Sequence, residues 1–173
     1  AIQHRLDDRD LREFRLMNSR SALTIARLGR GLNFSVDEMR SLCEWQREFE
    51  EQHERDPRNQ GYFHRSWRAE DNFEYWTKVR SLLGDARLVV YLARADRDFD
   101  RMNRTVTSLG VSDPTTVLDL WWMKEKREIA TARTNDRKEA ERVARLAHDG
   151  AEELLGKVRF AQYSQDETAR WLR

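Results

Sequence analysis

The chain has 173 residues, the size of one ordinary domain, with 36% charged and 39% apolar residues but only seven Gly and two Pro. That balance disfavours strands and favours long amphipathic helices, while six Trp and seven Phe supply the apolar area that disordered chains lack. With 32 basic against 31 acidic residues the net charge is +1, so overall charge marks no face for phosphate or anionic lipid; Cys43 is the single cysteine, which excludes an internal disulfide.

In chain order, a first helix is predicted from about Leu6 to Leu28, closed by Gly29-Arg30-Gly31. Ser35-Val36-Asp37-Glu38 reads as a capping box: the Ser35 hydroxyl accepts from the Glu38 amide while the Glu38 carboxylate accepts from the Ser35 amide. The helix it opens buries Met39, Leu42, Cys43, Gln46 and Phe49. Asp56-Pro57-Arg58-Asn59-Gln60-Gly61 is turn chemistry, and the returning helix carries Phe73, Trp76, Val79 and Leu83 on one side and ends at Gly84. From Leu88 the series Leu88, Leu92, Ala95, Phe99, Met102, Val106 and Leu109 alternates steps of four and three, which predicts one helix of about 20 residues or more. Gly110 closes it, and Ser112-Asp113-Pro114 opens the next with a cap and a first-turn proline. That helix runs through Trp121 and Trp122 to about Ala132, turns at Thr134-Asn135-Asp136, and the chain returns through Val143, Ala147 and Leu154 to Gly156.

The two hairpins close on one signature. Leu82-Leu83-Gly84-Asp85-Ala86-Arg87-Leu88-Val89-Val90-Tyr91 matches Leu154-Leu155-Gly156-Lys157-Val158-Arg159-Phe160-Ala161-Gln162-Tyr163, 72 positions on. Upstream, Phe14, Ile25, Leu32 and Ser35 match Tyr91, Met102, Leu109 and Ser112, each 77 positions apart; the longer turn at 56–61 absorbs the difference. The expected fold is therefore all-α: a single helical domain over 1–173 with internal repeat units 14–90 and 91–163. Each unit is a connecting helix followed by an antiparallel helical hairpin, and 164–173 forms a short capping segment.

The candidate sites follow from residue type and spacing. Adjacent Trp side chains on a helix point about 100° apart, so Trp121 and Trp122 cannot share the centre of a narrow stripe. An edge Trp, together with Trp67, either lines a groove for a partner or unfolded client or seals the contact between the two units. His53 and His64 flank the first hairpin turn beside Glu50, Glu54 and Asp56, but no HxxH, HExxH or CxxC spacing accompanies them, and the expectation is no metal and no cofactor. Met17, Met39, Met102 and Met123 sit at apolar helix positions and read as core filling. No nucleophile motif or glycine-rich phosphate loop is present, so a non-enzymatic protein is expected. Arg94, Arg97, Arg101 and Arg104 share a helix face, the basis of an alternative nucleic-acid-binding or assembly role inside the cell, though Asp96, Asp98 and Asp100 interrupt the positive stripe.

Leu32-Asn33-Phe34-Ser35-Val36-Asp37-Glu38 resembles the LxLTxxQ helix-start motif of the Spy and CpxP-like periplasmic proteins, with Ser35 in place of Thr and Glu38 in place of Gln. Leu109-Gly110-Val111-Ser112 is similar at Leu109, Val111 and Ser112. The segment from Leu154 to Tyr163 also resembles an LLGxxRFxxY stretch found in helical, often secreted bacterial proteins. The resemblance implies a periplasmic or secreted envelope protein that senses stress or holds an unfolded client or protein partner, without membrane insertion and without catalytic residues.

Overall fold

A computed structural model describes residues 8–53 and 69–172, and among them every regular element is helical. The order is α1 (Asp8–Met17), α2 (Arg20–Leu28), α3 (Val36–His53), α4 (Ala69–Ala95), α5 (Arg97–Ser108), α6 (Pro114–Arg133), α7 (Arg137–Leu155), α8 (Lys157–Tyr163) and a 3₁₀ helix (Glu167–Leu172). None of these helices is long and apolar enough to cross a membrane. The chain divides into two compact units, residues 1–62 and 63–173; the turn expected at Asp56–Gly61 lies outside the described residues.

In the first unit the predicted helix from Leu6 to Leu28 is interrupted. Ser19 takes an extended conformation and its hydroxyl accepts from the Ala22 amide, so α2 starts afresh after α1. Ala22 and Ile25 of α2 pack with Leu42, Cys43 and Phe49 of α3 in the core, and the predicted capping box forms, with the two reciprocal bonds at 2.9 and 3.1 Å. Gly29 is needed for space: a Cβ there would lie 2.1 Å from the Phe34 ring. Gly29→Ala must therefore push Phe34 aside, and we expect a loss of about 1–3 kcal/mol by urea unfolding. A variant as stable as the parent would show that Phe34 does not sit over this turn.

In the second unit α6 lies centrally, packing against α4, α5, α7 and the 3₁₀ helix, which broadens its buried arc to Val117, Leu118, Leu120, Trp121, Trp122 and Glu125. The predicted helix from Leu88 to Leu109 breaks at Asp96, whose carboxylate accepts from the amides of Asp98 and Phe99 and so caps α5. Gly110 follows α5 with φ +80°, and Asp113 caps α6 ahead of Pro114.

Local geometry recurs along the chain. Helix starts capped at Ser19 and Asp96 lie 77 positions apart, as do Asn33 and Gly110, both with positive φ. Gly84 and Gly156, 72 apart, adopt almost the same backbone (φ 71°, ψ 166° and φ 72°, ψ 154°), a region essentially reserved for glycine. Leu83 and Leu155 before them, and Tyr91 and Tyr163 after them, are all buried.

The break in α4 at Gly84 is clamped. Arg80 makes a two-pronged contact with Asp85, both bonds at 2.8 Å, reaches Asp119 of α6 at 3.2 Å and lies over the Trp122 ring. The hydrogen-bonded guanidinium holds the Asp85 carboxyl below its ordinary value of 3.8, with burial opposing and a Thr115 hydrogen bond assisting. A folded pKa below the unfolded one supplies stability that is present above pH 3.8 and lost as pH falls through the folded value. Asp85→Asn is accordingly expected to flatten the acid limb of the urea midpoint plotted against pH; an unchanged limb would argue against the clamp.

Candidate functional site

The two tryptophans singled out from the sequence are interior residues. Trp121 and Trp122 are 2% and 8% exposed, so neither lines an open groove for a partner as the first of the two expectations had it. Because α6 has neighbours on several sides, the two rings are buried in different directions: Trp121 meets the edge of Phe99 on α5 at 5.3 Å, and Trp122 meets Phe73 on α4 at 6.0 Å. Trp67 and His64 lie outside the described residues, as does the side chain of His53, which ends α3. Among the described residues no group of three or more His, Cys, Asp or Glu side chains is placed to hold a metal ion.

One turn beyond the tryptophans, α6 buries charge. The Lys124 ammonium lies 4.4 Å over the Trp121 ring and is held by Glu125 at 3.1 Å and Glu128 at 3.0 Å. Burial pulls the Lys124 pKa down, but attraction to Glu125 and Glu128 outweighs it and leaves the group above the ordinary lysine value. Glu125, 6% exposed, is lifted above the ordinary glutamate value by burial; Lys124 opposes this while Glu128 and Asp96 repel. Asp96 is also lifted by burial, against the two amides it caps. In the first unit, buried Gln46 donates to Glu50 at 3.0 Å, and Glu50 also accepts from the Ser21 hydroxyl at 2.9 Å.

Lys124 and Glu128 open onto a cleft of about 800 Å³, within the size range of ligand sites. Helix α5 forms one wall with Asp98, Arg101, Arg104 and Thr105, over Met102. The opposite wall is the 3₁₀ segment, with Asp166, Glu167, Thr168, Arg170 and Trp171. That segment is docked by Trp171, whose indole donates to the Tyr163 hydroxyl at 3.0 Å, and its start is capped by Asp166, which accepts from the Thr168 amide and hydroxyl at 2.8 Å.

Four cationic and four anionic side chains line the cleft, and most are already committed. Lys124 holds Glu128, Arg170 holds Glu167 at 2.6 Å, Arg104 is tied to Asp100, and Asp166 is occupied by Thr168. Among the described residues, Asp98 and Arg101 are the lining charges without an ion pair or side-chain hydrogen bond. They sit three residues apart on α5, hence on one face. Arg94, Arg97, Arg101 and Arg104 are all exposed, but the break at Asp96 puts Arg94 on α4 and the other three on α5, so they do not form the single helix face expected from the sequence.

Sequence reasoning missed Lys124, Glu128, Thr105 and Trp171 as site residues. The available signal was the block Lys124-Glu125 directly after two tryptophans, charge placed where the apolar arc of α6 continues. No family model, no curated protein and no solved structure matches the chain.

Proposed function

We propose that this protein is a non-enzymatic binder of an extended or unfolded segment of another protein, seated in the cleft between α5, α6 and the 3₁₀ helix. The observation that carries this reading is a cleft edged by the Trp171 ring, with two uncommitted, opposite charges, Asp98 and Arg101, at one side. Peptide segments match such a lining because they present apolar side chains together with polar and charged groups of both signs. Placement in the bacterial envelope rests on the likeness of Leu32–Glu38 and Leu154–Tyr163 to the helical proteins named above. Tandem duplication of a helical unit is part of the same proposal, supported by the recurring Gly84 and Gly156 geometry.

The test joins a reduced, aggregating model client to a photo-crosslinking residue at Thr105. The reading expects suppressed aggregation together with a client crosslink. No suppression at excess protein and no crosslink would overturn it.

The nucleic-acid alternative draws on the exposure of all four arginines, but Asp98 and Asp100 stand on the same helix and Asp100 engages Arg104. Filter binding at two salt concentrations separates the two readings, since phosphate contacts weaken steeply with salt.

A further inference from the structure

We infer that the preferred occupant of the α5 side of the cleft is a short zwitterionic peptide, its free carboxylate on Arg101 and its free ammonium on Asp98; this rests on the segment-binding reading above. Of the eight charged groups around the cleft, Lys124, Glu128, Arg104, Arg170, Glu167 and Asp166 already have partners within the chain. A ligand that displaced any of them would have to replace an existing ion pair or hydrogen bond, and for Lys124 it would disturb a charge whose side chain is only 17% exposed. The remaining demand is one anion and one cation, so a ligand of net charge zero satisfies it where a phosphate or a polyamine leaves one protein group opposed by a like charge.

Spacing narrows the class. Side chains three residues apart on a helix have Cβ atoms about 5–6 Å apart, and an extended chain advances about 3.3–3.6 Å per residue. Two to three residues therefore separate a terminal ammonium and a terminal carboxylate by about the distance that Asp98 and the longer Arg101 reach between them. A guanidinium takes a carboxylate in a two-pronged contact, which makes Arg101 the anchor. The Trp171 ring, 7% exposed, is the apolar edge of the cleft; Met102, 1% exposed, lies beneath it as core. A free amino acid brings its two charges too close together, whereas a segment that ends in the cleft presents a terminal charge to one of the two side chains.

Calorimetric titration of the full chain at low ionic strength with the tripeptide Ala-Phe-Ala tests this, using the free, N-acetylated, C-amidated and doubly blocked forms. The free form is expected to bind saturably, with each block weakening binding about tenfold or more. Asp98→Asn should abolish the penalty of acetylation, and Arg101→Gln the penalty of amidation; both side chains are exposed, so neither change threatens folding. Equal binding of the free and doubly blocked peptides, or block penalties that persist in the variants, overturns the zwitterion inference while leaving segment binding intact. Absence of heat with every form overturns it too, and the client crosslink then decides the broader reading by itself.

Discussion

Replacing Lys124 with Met is expected to cost about 3–5 kcal/mol at neutral pH, because it leaves Glu125 as a buried charge without its partner. The apolar stem over Trp121 survives this change, so the loss reports on the ammonium and not on packing. Glu125 is the vulnerable group: at 6% exposure it depends on the lysine 3.1 Å away, with Glu128 and Asp96 both repelling it. Its folded pKa lies above the ordinary 4.5, so the ionised form costs stability above the folded pKa and nothing below the unfolded one. The deficit of the Met variant should therefore be largest at neutral pH and shrink as the solution is acidified towards 4.5. Removing both charges in Lys124→Met/Glu125→Leu should recover most of the loss, since an apolar pair of similar volume usually equals or exceeds a buried ion pair. Urea unfolding of the parent, single and double variants at several pH values gives the answer. A single variant as stable as its parent would mean that the charge cluster is solvated.

Trp171→Ala should be comparably severe, about 3–5 kcal/mol, for a different reason. The indole is 7% exposed and donates to the hydroxyl of Tyr163, itself fully buried, so truncation opens a cavity and breaks a hydrogen bond together. Trp171→Phe keeps most of the apolar area and should lose only about 1 kcal/mol with the indole donor. Circular dichroism through a urea titration measures both variants. If the Ala variant falls within about 1 kcal/mol of the parent, the 3₁₀ segment does not seal the core. Trp171 also lines the cleft, so the Ala variant should weaken Ala-Phe-Ala binding even under conditions where it remains folded.

The capping box at Ser35 and Glu38, the cap and proline at Asp113 and Pro114, and the glycines at 84, 110 and 156 were legible in the chain because each is decided by a few neighbouring residues. The breaks at Ser19 and Asp96 were not, since apolar periodicity runs on across a single capping residue: Leu92, Phe99 and Met102 stay on the buried side although the helix restarts between them. Both breaks had a local signal, a short polar side chain able to take amides two or three residues ahead.

Burial of Trp121 and Trp122 together, of Lys124 beside Glu125, and the cleft itself depended on partners far along the chain. Asp98, Lys124 and Trp171 come from three elements, and nothing in the spacing of any one of them indicates the others. That the chain is helical, where most helices start and stop, and which turns demand glycine are written in short stretches of residues, because those choices are settled by hydrogen bonds and sterics between near neighbours. That α6 is surrounded, which of its charges are desolvated, and which two charges beside the cleft are left over follow from packing, because desolvation and pairing depend on which distant surfaces meet.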